Sequence, residues 1–116
     1  MTPARRGAVL AELELLLALA IVRLGGGAYG AGIRRQIEER AGRTVSLGAV
    51  YVTLARLADK GLVTHQASDP LPVRGGRSRK VYRLTASGQR ALRDSAGALT
   101  RMLEGIDLSS SRGATR

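Results

Sequence analysis

The chain has no cysteine, tryptophan or phenylalanine, and its aromatic rings are limited to three tyrosines and one histidine. Without cysteine there are no disulfides and no thiolate metal sites, which suits a reducing cytoplasm. Without Phe or Trp, the core has to be built from Leu, Val, Ile and Ala. Acidic residues are scarce, 9 against 19 Lys and Arg, and the net charge is +10. That imbalance favours a polyanionic partner, either nucleic acid or an anionic membrane surface. Long apolar runs are missing too. The longest, 15–22, falls far short of the roughly 20 residues that span a bilayer. Glu12 and Glu14 precede it and no clean small-residue cleavage site follows, so it does not read as a secretory leader. His65 is the lone histidine, in a strand-like stretch without carboxylate or thiol companions. No metal site, cofactor or catalytic base is expected. No nucleophile–base pair or carboxylate dyad is found, which argues against an enzyme.

What is present is enough apolar material, 44% of 116 residues, for one domain with one core. Residues 1–7 read as a loose basic arm. A first helix is expected over 10–24, ended by Gly25-Gly26-Gly27. Leu13, Leu16, Leu17, Ala20 and Leu24 share one face, while Leu15, Leu19 and Val22 share another. A helix apolar on two sides is buried on two sides, and in so small a chain the second side is expected to meet another subunit. A second helix over 28–40 carries Ile33 and Ile37 inward, exposes Arg34 and Arg35, and stops at Gly42.

Ser46 is a good N-cap for a third helix. Val50, Leu54 and Leu57 form its core stripe, and Gly61 ends it. The opposite face is read as Ser46, Ala49, Thr53, Arg56 and Lys60, short or basic side chains that suit a surface pressed into a groove. Strands over 62–66 and 79–84 follow, with Val81 and Tyr82 expected on opposite faces. The loop between them holds two Pro and two Gly, and residues 74–80 read Arg-Gly-Gly-Arg-Ser-Arg-Lys. Thr85 caps a last helix that runs to about Ile106. Its Leu92, Ala96, Leu99, Leu103 and Ile106 repeat at four, three, four, three, a short heptad seam that suits pairing with a second copy. Residues 108–116 read as a disordered tail.

A helix small enough for the major groove, followed by a hairpin with a cationic tip, is a winged helix-turn-helix arrangement. The expected fold is mainly α with a small β-hairpin, flanked by N- and C-terminal dimerisation helices. The wing carries Arg74, Arg77, Arg79 and Lys80, which can sit on phosphates or enter the minor groove; a solvated basic turn is the plainer reading. Ser46 would cap its helix and neighbour a phosphate. Thr53 and Arg56 could read bases, although Arg56 could equally pair with Asp59 or Glu39. Lys60 reads as a phosphate contact or a solvated charge. Arg34 and Arg35 could touch the nucleic-acid backbone or face solvent.

Particular stretches resemble the PadR-type transcriptional regulators. The run 13–19, followed by Ala28-Tyr29-Gly30 before Ile33, is similar to the opening of that family. Residues 45–57, Val-Ser-Leu-Gly-Ala-Val-Tyr-Val-Thr-Leu-Ala-Arg-Leu, with Lys60-Gly61-Leu62-Val63 after them, look like its recognition helix and first wing strand. Residues 79–88, Arg-Lys-Val-Tyr-Arg-Leu-Thr-Ala-Ser-Gly, resemble its second wing strand and the start of its dimerisation helix. The match covers roughly 8–106, and the single short last helix looks like the compact subgroup. Position 52 is Val, where many relatives carry Pro or a polar residue. The absence of Trp and Phe removes the rings with which some relatives hold flat ligands between subunits.

The resemblance implies a homodimer that represses transcription from a palindromic operator in double-stranded DNA, with Tyr51 reaching a phosphate or base edge. It leaves room for a small-molecule effector whose identity the sequence does not carry. The chain divides into a DNA-binding unit over 1–84, a dimerisation helix over 85–107 and the tail over 108–116, acting in the cytoplasm and away from membranes. The competing reading is a basic membrane-surface or protein-interaction adaptor without catalytic activity.

Overall fold

The computed structural model describes residues 9–67 and 79–109. The basic arm 1–7, the wing tip with Arg74 and Arg77, and the tail from 110 onward lie outside the described residues. Helix α1 spans Glu12–Leu24, α2 Gly30–Gln36, α3 Leu47–Asp59 and α4 Ala86–Leu103, with strands β1 Val63–Ala67 and β2 Lys80–Leu84 between α3 and α4. This is a winged helix with one flanking helix at each end.

Helix α1 is the post around which the rest assembles. Leu17, Ala18, Ala20 and Ile21 are all buried, and α2, α3, α4 and β2 each lie against it. It begins two residues later than expected because Ala11 is its extended N-cap. The Ala11 N–H donates to the Glu14 carboxylate at 2.9 Å, satisfying one of the amides that a helix start leaves open. Leu10, ahead of the helix, is buried, and its N–H donates to Ser95 Oγ of α4 at 3.2 Å.

Helix α2 starts at Gly30 rather than 28, because Ala28 has another task. Its carbonyl accepts the Tyr82 N–H of β2 at 2.9 Å, so it serves as a one-residue partner on the strand's free edge. The helix continues as a wider π turn, Ile37–Ala41, and stops at Gly42, whose φ of +67° is left-handed.

Helix α3 opens and closes on side chains legible in the sequence. Ser46 Oγ accepts the Ala49 N–H at 3.0 Å. At the other end, the Leu62 N–H donates to the Leu57 carbonyl and the Gly61 N–H to the Ala58 carbonyl, both at 2.9 Å, with Gly61 at φ +74°. That double closure is the Schellman motif. It turns the chain directly into β1, which pairs antiparallel with β2 in the register Val63↔Leu84 to Ala67↔Lys80. Both strands start one residue later than expected.

Val81 and Tyr82 do not divide between core and solvent; both are buried. Strand β2 lies between β1 and Ala28 and touches α1, α2 and α4, so both of its faces are covered. Thr85 then caps α4 with its Oγ1, accepting the Gly88 N–H at 3.0 Å. The same hydroxyl donates to the Gly61 carbonyl at 2.7 Å, and the Thr85 N–H donates to the Leu62 carbonyl at 3.0 Å. Gly88 is required here, because a Cβ would collide with the Leu62 carbonyl. Helix α4 ends at Leu103, three residues before the expected end, with Gly105 left-handed beyond it.

Candidate nucleic-acid interface

The inward stripe of α3 is Val50, Leu54 and Leu57, as its spacing predicts. The outward stripe differs from the expected one. Gly48, Tyr51, Val52, Ala55, Arg56 and Asp59 are exposed, whereas Thr53 is only 3% exposed. The Thr53 hydroxyl donates to the Ala49 carbonyl of its own helix at 2.8 Å, which satisfies its one polar group and lets the side chain pack as a small apolar one. Thr53 is therefore not available to bases. Ala49 beside it is half-buried. The open face is turned by roughly a quarter of a helical turn from the Ala49–Thr53–Lys60 line.

Lys60 explains the rotation. Its Nζ donates to Glu14 of α1 at 2.8 Å, so this flank of α3 abuts the central helix. Glu14 is buried at 4% exposure. Burial works against its charge, but the hydrogen bonds from Lys60 and from the Ala11 N–H, with the nearby Lys60 and Arg56 charges, hold its carboxyl below the usual carboxylate range. Lys60 is thus tied to Glu14 through its ammonium while its side chain remains partly exposed. Arg56 forms no ion pair with Asp59 or Glu39 within 4 Å and stays exposed on the open face. Arg34 pairs with Glu38 one turn along α2 at 2.9 Å, while Arg35 is exposed. Arg43, in the turn before α3, is bonded to Glu12 at the start of α1.

The chain's three tyrosines converge beside this face. The Tyr51 ring crosses the first residue of α2 so closely that a Cβ on Gly30 would lie 2.6 Å from its Cζ and Oη. The Tyr51 ring packs against α2, yet the residue is 45% exposed. Burial, and the neighbouring Tyr51, push the Tyr82 hydroxyl above its usual range. His65 faces Tyr82 across the hairpin, the rings 5.5 Å apart and tilted. Tyr29 lies under the Arg79 guanidinium, which sits 3.9 Å from the ring centroid. The root of the wing is thereby fixed to the start of α2, with Lys80 exposed next to it. In contact in space but 50 positions apart in sequence, Tyr29 and Arg79 could not be paired from spacing alone.

The family model for PadR-like transcriptional regulators matches residues 18–94. The chain belongs to that family. No curated protein matches it. Among solved structures, it is similar to a PadR family transcription regulator from Clostridium difficile R20291, at 24% identity and a TM-score of 0.66, covering 80% of this chain and 95% of that one. It is also similar to a PadR-like transcription factor from Bacteroides fragilis, at 25% identity and a TM-score of 0.64, covering 81% and 85%. A third is Bacillus subtilis PadR, solved in complex with operator DNA, at 24% identity and a TM-score of 0.58; the match covers 72% of this chain and 45% of that longer one.

The expected subunit interface of this PadR-like chain divides in two. Leu15 and Leu92 are buried in the chain's own core and are not available to a partner. Each sits where its helix crosses another element of the same subunit, and core positions and partner positions look alike in an apolar sequence. Leu19, Val22, Leu99, Leu103 and Ile106 are exposed, and Ala96 is half-buried. An open groove of about 560 Å³ runs between α1, β2 and α4, lined among others by Val22, Arg83, Gln89 and Arg93. Among the described residues no helix is long and apolar enough to cross a membrane, and no three His, Asp or Glu side chains gather to hold a metal ion.

Proposed function

We propose that the protein is a sequence-specific double-stranded DNA-binding repressor that acts as a homodimer on a palindromic operator in the cytoplasm. The observation that carries this reading is α3 itself: its aliphatic stripe is anchored in the core while Gly48, Tyr51, Val52, Ala55 and Arg56 are open beside a cationic wing root. The net charge of +10 suits a polyphosphate partner. The likeness to Bacillus subtilis PadR, solved with operator DNA, points the same way.

In this reading α3 enters the major groove. Ser46 and Ala49 lie near its entry, and Tyr51 and Arg56 reach base edges or phosphates. Arg74, Arg77, Arg79 and Lys80 of the wing act on the neighbouring backbone or minor groove. Residues 1–84 form the DNA-binding unit. Leu19 and Val22 of α1, with Ala96, Leu99 and Leu103 along α4 and Ile106 just beyond it, supply the contact between two copies. The groove between α1, β2 and α4 has the volume of a small-molecule site, which supports an effector acting between the two units.

Selection of bound duplexes from a random pool tests the proposal. The expected product is a two-fold symmetric site with half-sites about 34 Å apart, bound far more tightly than a scrambled duplex. Equal affinity for the selected and scrambled duplexes would overturn it.

A further inference from the structure

The open face of α3 is apolar along its centre. Gly48, Val52 and Ala55 follow one another at spacings of four and three, so they form one outward line. Val52 is 56% exposed, and Leu47 beside Gly48 is exposed as well. A Cβ on Gly48 would meet nothing nearer than Ser46 Oγ at 3.9 Å, so the helix backbone is bare there and can be approached closely. A surface helix ordinarily places polar or charged residues on the stripe opposite its core side. Here polar groups stand at the sides and the ends: Tyr51 on one side, Arg56 on the other, Ser46 at the entry, and the exposed Asp59 one turn beyond Ala55, where the apolar line stops.

A short apolar line flanked by a tyrosine and an arginine matches a particular feature of the major groove. Base edges there present donors and acceptors, and the thymine C5-methyl is the one apolar group they offer. The line is a single side chain wide, far smaller than a stable protein–protein interface requires. Exposed Arg56 on the same helix, with Arg35 on α2 and Arg79 and Lys80 at the wing root, suits a polyanion. Resting on the DNA-binding reading above, we propose that Val52, framed by Gly48 and Ala55, reads thymine methyl groups at the centre of each operator half-site. Arg56 then reads the guanine edge beside them.

Single replacements of thymine by deoxyuridine in the selected duplex test this, because each removes one methyl group and leaves base pairing and the donor–acceptor pattern intact. At one or two positions per half-site, binding should weaken about fourfold for each methyl lost. Val52→Ala should bind the thymine duplex correspondingly less tightly and show no further loss with deoxyuridine at those positions. Because Val52 lies at the surface, an unchanged melting temperature confirms that the variant folds. If the protein prefers the selected duplex yet ignores deoxyuridine everywhere, methyl readout is wrong and the DNA-binding reading stands. If Val52→Ala keeps full sensitivity, the methyl is read by another residue and the proposal fails. If no duplex is preferred, both readings fall.

Discussion

Helices α1 and α4 both carry apolar residues on more than one side, and the structure covers them to different extents. In α1 most of the excess is consumed within the subunit: other elements lie against it and even Glu14 is covered, with Leu19 and Val22 left open on one side. In α4 the first half packs through Ala91 and Leu92, and the second half leaves the core. Leu99 is 51% exposed and Leu103 50%, with Met102 and Ile106 more so. A uniformly apolar helix is the mark of a central post, whereas a seam that outruns its own domain is the mark of a missing neighbour. The two ends of the chain therefore answer differently to the same kind of substitution.

The strongest way to break the contrast is to truncate each helix. Leu17→Ala in α1 should cost about 2–5 kcal/mol of subunit stability in denaturant unfolding, while Leu103→Ala should cost less than about 0.5 kcal/mol within the subunit. Equal losses would mean that the seam is packed at home. Next, Leu99→Lys combined with Leu103→Lys should weaken self-association by about 3 kcal/mol, more than a hundredfold, with the subunit fold retained. Light scattering that still reports the wild-type assembly would place the contact elsewhere.

Lys60→Met probes the charge inside the post. It strands the Glu14 carboxylate, at a cost of about 1–2 kcal/mol after allowance for the partial exposure of Lys60. The pair also has a signed pH signature. The Glu14 carboxyl is held below its unfolded value, so its contribution is complete above the ordinary carboxylate range and is lost as pH falls through the folded value. Glu14→Gln should flatten the acid limb of the stability curve, and a limb of unchanged slope would contradict the assignment. The smallest effect is expected at the wing root. Tyr29→Leu should weaken DNA binding by about 0.5–1 kcal/mol through loss of the ring under Arg79, and Tyr29→Phe should restore it. Equal binding by all three forms would show that the stack does not position the wing.

The residues that start and stop elements were the most legible part of the chain. Ser46 and Thr85 cap as their chemistry predicts, Gly42 and Gly61 end helices in left-handed turns, and the Val50–Leu54–Leu57 stripe faces inward. The phase of the opposite face was harder to read. Thr53 looks polar in a sequence but satisfies itself against Ala49 and goes inside. Lys60 looks like a surface cation until α1 brings Glu14 to it from 46 positions away. The same limit applied to Leu15 and Leu92: periodicity distinguishes apolar from polar, but not one's own core from a partner's. Val52 and Ala55 carry no obvious chemistry in the sequence, because an exposed apolar residue acquires meaning only from its neighbours. Glu14, Gly30 and the Tyr29–Arg79 stack depend on tertiary approach and leave no local pattern.

One junction has mechanical meaning. Thr85 ties the first turn of α4 to the carbonyls of Gly61 and Leu62, the residues that close α3. The start of one rod is thus hydrogen-bonded to the end of the other, although a whole hairpin separates them in sequence. A swing of α4 about its first turn would therefore pull on the very residues that close α3.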